Sequence, residues 1–397
     1  MKNWLSAFIT AALGMVLFSS ISFASGFRLP QQGAAAMGMA SAFVAQADDP
    51  SAVWYNPAGI TQLDGTRIAG GGVAIYPYFS HKTGSTTEVS ERDIHLPIYF
   101  YATHKMNDKM SLGLGINSPF GLSTEWATTS STSTVATFSK IVTTEINPNI
   151  AYKVNNDLSV AFGIAFVHLR ATLEKLLPPA FGSPNFRLSG DGDGWGANAA
   201  AYYKATEKLN IGLNYRSRVK IDIDGTADAL AIGQSGSAST TMTLPDIMVL
   251  GVSYKASDKL TLNTDLDYTW WSTYDRLVVT SNNAFFSSTE EHQWKDVWTL
   301  RIGGQYKLSD QWKLRAGYLY DKNPVKDDHF ETRVPDSDQH AVSVGAGYSI
   351  NNITIDASYM YIMFKNRTIS NSPVSSSLDG TYKSTIDAFA LMVSYKF

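Results

Sequence analysis

The chain has no cysteine among its 397 residues. That excludes disulfides, thiolate metal sites and a lipid-modified N-terminal cysteine. It lacks a basic excess: 32 Lys and Arg stand against 35 Asp and Glu, a formal net charge of -3, so it offers no field suited to nucleic acid. Beyond residue 24 no apolar run approaches about 18 residues, which excludes a bundle of membrane-spanning helices. Aromatic residues are plentiful instead: 20 Tyr, 19 Phe and 9 Trp, too many for a disordered chain.

The first residues carry an export pattern. Lys2 gives a positive start, Trp4 to Phe18 is apolar apart from Ser6 and Thr10, and Ser22-Phe23-Ala24 is a small-x-small cleavage site. A secretory signal peptide over residues 1–24 is expected. An exported soluble protein or a β-barrel then remains.

From Thr66 onward the pattern alternates with period two, as a strand with two unlike faces requires. Ile353, Ile355, Ala357, Tyr359, Tyr361 and Met363 share one face, as do Phe389, Leu391, Val393, Tyr395 and Phe397. About fourteen such segments are legible. The third falls near 110–122, the fifth near 157–175, the sixth near 193–205 and the ninth near 259–280. Short polar turns such as Asn107-Asp108 and Ser309-Asp310 alternate with long loops, among them 176–192 and 323–337. An even number of antiparallel strands with this alternation is the pattern of an outer-membrane barrel. A soluble β-sandwich is the competing architecture, but many segments reach about 12 residues or more, longer than usual strands. Aromatic pairs such as Tyr99 and Tyr101, or Trp270 and Trp271, gather near strand ends as membrane girdles do. The terminal Phe397 resembles the signal read by the barrel assembly machinery. The expected fold is therefore all-β: a transmembrane antiparallel barrel of about 14 strands over 66–397. Residues 25–65 are small, apolar and poor in long charged side chains, and are read as a helical plug, or hatch, in the lumen.

At this point the chain resembles the outer-membrane long-chain fatty acid transporters, a family that also includes toluene-type hydrocarbon channels. Ser25-Gly26-Phe27-Arg28-Leu29-Pro30 is similar to the family's mature start. Ala47-Asp48-Asp49-Pro50-Ser51-Ala52-Val53-Trp54-Tyr55-Asn56-Pro57-Ala58-Gly59 resembles its plug signature, with the Asn56-Pro57-Ala58 core intact. Weaker matches are Ser118-Pro119-Phe120-Gly121-Leu122 and Pro335-Asp336-Ser337-Asp338. The resemblance implies a fourteen-stranded barrel with a hatch. It also implies passive uptake of hydrophobic molecules, fatty acids foremost, by capture at outer loops, hatch rearrangement and lateral exit at a kinked third strand. Aromatic hydrocarbons by the same route, or a general diffusion porin, are the alternatives.

The residues give this reading some chemistry. Pro119 lacks an N–H and breaks a ladder, so Pro119, Phe120 and Gly121 are the candidate kink; the alternative is that Pro119 lies beyond the membrane at the strand's outer end. In the fifth strand Ala165, Val167 and Leu169 are assigned to lipid, and Phe162, Phe166, His168, Arg170 and Glu174 to the lumen. Arg170 is the candidate for a carboxylate head group, since guanidinium binds carboxylate bidentately. Its alternative role is a structural pair with Glu174 or a plug carboxylate. Lys295 is the second candidate cation, placed inward with Arg301. Phe27 is a candidate ligand contact, and Leu176, Leu177 and Phe181 are candidate landing residues in an apolar outer loop, unless they only pack on each other. Asp191-Gly192-Asp193-Gly194 reads as a turn rather than a calcium site, and the histidines show no metal spacing. No metal, cofactor or enzymatic activity is expected. The expected partners are fatty acids or hydrocarbons, outer-membrane lipid and lipopolysaccharide, and the assembly machinery. A monomer is expected because a closed barrel exposes no edge.

Overall fold

The computed structural model describes residues 26–397; the expected signal peptide lies outside them. Fourteen strands follow in order among the described residues. They are Thr66–Thr83, Ile98–Lys105, Met110–Asn117 continued by Gly121–Glu125, Phe138–Lys153, Leu158–Leu176, Asn185–Thr206 and Leu209–Arg216 continued by Val219–Ala229. The rest are Gln234–Leu244 continued by Ile247–Lys255, Leu260–Thr269 continued by Arg276–Ser281, Ser288–Glu291 continued by Val297–Lys307, Trp312–Asp321, Gln339–Ile350, Ile353–Phe364 continued by Arg367–Ile369, and Gly380–Lys396. Each pairs antiparallel with its neighbours, and the last closes on the first from Arg67↔Lys396 to Lys82↔Thr381. Closure leaves no edge strand, which is what a sheet in lipid requires.

The alternation decides which way the strands face. Leu262 and Leu266 point outward, while Asn263, Asp265 and Asp267 are buried inside. Phe389, Leu391 and Val393 are outward and Met392 inward. The fifth strand runs opposite to the expected assignment. Phe162 and Ile164 are about half exposed on the outside, and Ala161, Ala165, Val167 and Leu169 are buried inside. The physical reason is space. Lipid accepts any bulk, whereas the inside around Gly163 is already filled by neighbouring strands; a Cβ there would strike the side chains of Asn149 and Asn198. Strands also extend outward further than the pattern suggests. The sixth starts at Asn185, so Asp191-Gly192-Asp193-Gly194 is ladder, paired with the fifth strand as Arg170↔Asp191 and His168↔Asp193.

The plug fills the lumen with two one-turn helices, Ala34–Met37 and Ala52–Tyr55, and the 3-10 helix Pro57–Gln62. Nearly all of it is buried. Its backbone presses against glycine: a Cβ on Gly212 would collide with the Val44 carbonyl, and one on Gly317 with Met39 and Ala40. Asn56 pins it. Its Nδ2 donates to Val44 O at 2.8 Å and to Ala201 O of the sixth strand at 3.0 Å, and its Oδ1 accepts from Ala58 N. Asp265 accepts from the Phe43 and Val44 N–H groups.

Asn56→Ala would leave three buried backbone groups without these partners, at a cost of about 1–3 kcal/mol each where water cannot enter. The variant should unfold at lower temperature and pass more ions in planar bilayers than the wild type. Equal conductance and equal thermal midpoint would remove Asn56 as a pin.

Candidate functional site

The third strand is broken at Ser118-Pro119-Phe120 and resumes at Gly121, so Pro119 lies within its course, not beyond its outer end. Below the break it pairs with the second strand up to Phe100↔Ile116. Above it, Glu91 N donates to Glu125 O. Between these points no ladder joins residues 94–98 to 118–124 among the described residues. Ile94, Leu96 and Ile98 at this gap are 62%, 67% and 72% exposed.

The polar groups freed by the break are met from inside. Leu29 N donates to Pro119 O at 2.8 Å, Gly121 N to Phe27 O at 2.9 Å, and Gln32 Nε2 to Ser118 O at 2.7 Å. Phe120 N donates to Thr143 Oγ1, which in turn donates to Phe120 O. The start of the plug thus stands in for the missing neighbour strand, with an isolated bridge Arg28↔Phe120.

Two cavities meet at Phe27. One, of about 530 Å³, lies behind the gap and is lined by Leu29, Phe79, Leu96, Ile98, Phe120 and Ile362 among others. The other is narrow, about 60 Å³, and rises among the outer strands between Leu173, Leu188, Ile223, Met242, Leu277 and Trp294. Phe27, Leu122, Ile141 and Val334 line both. Phe27 packs edge-on to Trp271 at 4.7 Å, with Trp294 at 5.7 Å and Phe120 at 6.1 Å.

The narrow cavity ends at His292, Glu331 and Arg333. Arg333 bridges Glu290 and Glu331 at 2.6 and 2.7 Å. Burial pushes the Glu290 carboxyl up, but Arg333 and Lys175 outweigh it and bring it down to about 2. Burial lowers His292, which stacks on Tyr274 at 4.5 Å. Glu290, His292 and Glu331 lie close enough to share a metal ion, but the Arg333 guanidinium already occupies both carboxylates.

Of the residues singled out in the sequence, Phe27, Phe120 and Gly121 come together here, and Asn56, Pro57 and Ala58 anchor the plug. Phe162, Phe166 and Arg170 do not line either cavity: they stand on the outward face, where Arg170 Nε donates to His168 Nε2 and His168 meets Asp193. Lys295 is exposed at the outer rim, while Arg301 is buried inside as expected. Leu176, Leu177 and Phe181 line neither cavity; Leu177 packs on the outer apolar cluster of Ala227, Ala229, Leu277 and Phe286, part of which walls the narrow cavity, and Phe181 meets Phe285 at 5.6 Å. Trp271, read as girdle, is turned inward at 1% exposure. Trp294, Tyr274 and Arg333 were missed. For Tyr274 the signal was the break of period two around Trp270 to Asp275; Trp294 and Arg333 lie in other segments and carried no such signal.

Asp336 holds the plug's start through Gly26 N at 2.9 Å. Burial pushes its carboxyl from 3.8 up to about 8. The folded protein therefore keeps a proton that the unfolded chain has released. This contribution to stability is full below about pH 4 and is lost as pH rises through about 8. The thermal midpoint of the wild type should fall from about pH 5 to about pH 9 relative to Asp336→Asn. Parallel curves for the two proteins would contradict it.

The sequence profile described as "Outer membrane protein transport protein (OMPP1/FadL/TodX)" matches residues 15–397. The "Long-chain fatty acid transport protein" of Escherichia coli O6:H1 is 25% identical, covering 88% of this chain and 90% of its own. "Outer membrane protein P1" of Haemophilus influenzae is 27% identical, covering 89% of each chain. Among solved structures, a Pseudomonas aeruginosa FadL homologue superposes with a TM-score of 0.86 at 22% identity, covering 94% of this chain and all of its own (100%). The Ralstonia pickettii toluene transporter TbuX gives 0.72 at 17% identity, covering 92% and 98%. These two likenesses speak to the fold.

Proposed function

The chain belongs to the outer membrane transport protein family, as an outer-membrane β-barrel for hydrophobic compounds and not an enzyme, and from that membership we propose that it takes up long-chain fatty acids and releases them sideways at the third strand. The observation that carries this reading is the pair of apolar cavities meeting at Phe27, the larger of which lies behind the unpaired stretch between residues 94–98 and 118–124. An apolar ligand enters between the outer strands and displaces the Phe27 ring. Because Phe27 O also accepts from Gly121 N, such a displacement acts directly on the broken strand. The ligand then leaves between Ile98 and Phe120 into the bilayer. No energy source is involved. Curated relatives described as fatty acid transport proteins support the acyl substrate.

Neutral aromatic hydrocarbons are a second reading, and one observation favours it. Arg170 faces outward and Arg333 is matched by two carboxylates, so neither of these two is free to neutralise a carboxylate, and the fatty acid reading is left with Lys140 and Arg28, which line the larger cavity. A general diffusion porin has little support, since the plug fills the lumen.

Calorimetry with oleate and with toluene separates the first two readings. Oleate binding that is unchanged in Arg170→Ala is the expected result; toluene binding without oleate binding would move the protein to the hydrocarbon reading. Replacing Pro119-Phe120-Gly121 by regular strand residues should abolish uptake by cells and leave ligand binding at the outer loops intact. Uptake at the wild-type rate would sink the lateral route.

A further inference from the structure

The narrow cavity has two unlike parts. Along most of its length it is apolar, walled by Leu173, Leu188, Ile223, Met242 and Leu277, and His292 and Arg333 stand at its end. Its volume is about 60 Å³. One water-sized group needs roughly 10–15 Å³, so about four to six of them fit. That is room for a polar head and the first few carbons of a chain. Three polar atoms of the lining are buried with no hydrogen-bond partner in the protein: His292 Nε2, Arg333 Nε and Thr240 Oγ1. The other nitrogens of the two end residues are taken. Arg333 Nη1 donates to Glu290 and Glu331, and its Nη2 to Val135 O. His292 is 5% exposed, with its Nδ1 3.6 Å from Glu331 Oε1.

Leaving such atoms unmet is costly. A guanidinium Nε can only donate, whereas a hydroxyl and a neutral imidazole can serve either way. An occupant that brings an oxygen to this end is therefore favoured over a bare hydrocarbon. Charge then selects among oxygens. Arg333 meets both Glu290 and Glu331, and Lys175 lies 3.5 Å from Glu290. Two cations thus face two carboxylates, and the four charges cancel. Burial holds His292 toward its neutral form. His329, which also lines the cavity, meets Asp328 at 2.8 Å. A carboxylate arriving here would add a buried negative charge beside two others, with no cation left over to offset its desolvation. An uncharged oxygen incurs no such cost.

We propose that the end of the narrow cavity is a head-group subsite for an uncharged oxygen, formed by His292 Nε2, Arg333 Nε and Thr240 Oγ1, with the alkyl chain of the same ligand along the apolar wall. Its ligands are chains that end in a hydroxyl or a protonated carboxyl, and not in a carboxylate. The inference rests on the reading that acyl compounds enter by this cavity. It adds that a fatty acid passes the entrance in its protonated form, while Lys140 and Arg28 belong to the larger cavity further in.

The test uses the complete barrel in lipid nanodiscs, where no detergent competes for an apolar cavity. Three probes share a ten-carbon chain and differ in the head: 1-decanol, decanoate and 1-decene. At pH 8 decanol should bind about tenfold more tightly than decene, as one or two neutral hydrogen bonds provide. His292→Phe keeps a ring against Tyr274 and removes Nε2. It should reduce that preference and leave decene binding where it was. Thr240→Val, which loses only a hydroxyl, should do the same to a smaller degree. Decanoate labelled with carbon-13 at its carboxyl distinguishes the acid from the alcohol as a ligand. The bound signal that His292→Phe displaces should titrate at a higher pH than the free acid. Titration below the free acid would overturn the proposal, because it would mark a cation at the head group. So would equal binding of decanol and decene to the wild type, and this arm stands even if the variants do not fold. If none of the three probes binds, acyl uptake fails and the subsite with it. If decanoate binds but decanol is no better than decene, the subsite alone fails.

Discussion

In lipid a backbone N–H or C=O without a partner costs several kcal/mol, and this constraint organises the protein. It forces the sheet to close on itself, so that the last strand pairs with the first over most of its length. It also sets the terms on which the wall can be broken. A proline in the third strand cannot donate, and a strand that turns inward abandons its neighbour. The structure tolerates the break because the plug's Phe27 and Leu29 backbone, Gln32 and the fourth strand's Thr143 take over those groups. Plug and gap are two halves of one hydrogen-bonding solution, and neither is stable in this form without the other.

The lumen obeys a different rule. Its inward rows are polar and charged where they face the plug: Asp265 and Asp267, Asn214 and Arg216, Arg301, and Arg315 with Asp356 at 2.6 Å. Buried ion pairs add little net stability, because desolvation offsets most of their attraction. They are strict about geometry, however, since a displaced partner leaves a buried charge unmet. Such contacts fix the position of a plug that also shares an apolar cluster with the wall. Higher up, toward the outer loops, the lining becomes apolar, and the aromatic group around Phe27 separates the two regimes.

Much of this was legible in the residues. Period two, strand length and the short-turn, long-loop alternation specify a barrel and its strand count, because each depends only on local chain geometry. Pro119 announces the break by its missing N–H. The small, uncharged residues before Thr66 announce a segment that must be buried. The fifth strand shows where local reasoning stops. Its two faces are both largely apolar below His168, so periodicity separates them without saying which is inside. Arg170 was assigned inward because the small apolar face of Ala165, Val167 and Leu169 was taken to suit lipid, and the packing of Asn149 and Asn198 over Gly163 put it outside. Trp271 was likewise rotated inward by an irregular turn that no periodic rule anticipates.

By itself, then, the sequence determined the architecture: an exported chain whose alternating strands must close, with a plug and a weak point in the third strand. These follow from backbone chemistry and from the two-residue repeat. Only the tertiary structure decided which side chains share a cavity. It brought Phe27 of the plug to Trp294 and Phe120, and Arg28 to Arg216 and Arg301, across more than ninety residues of chain. The physical reason is that strand facing and plug placement are settled by volume and by the pairing of buried charge, which are properties of the assembled lumen and not of any one segment.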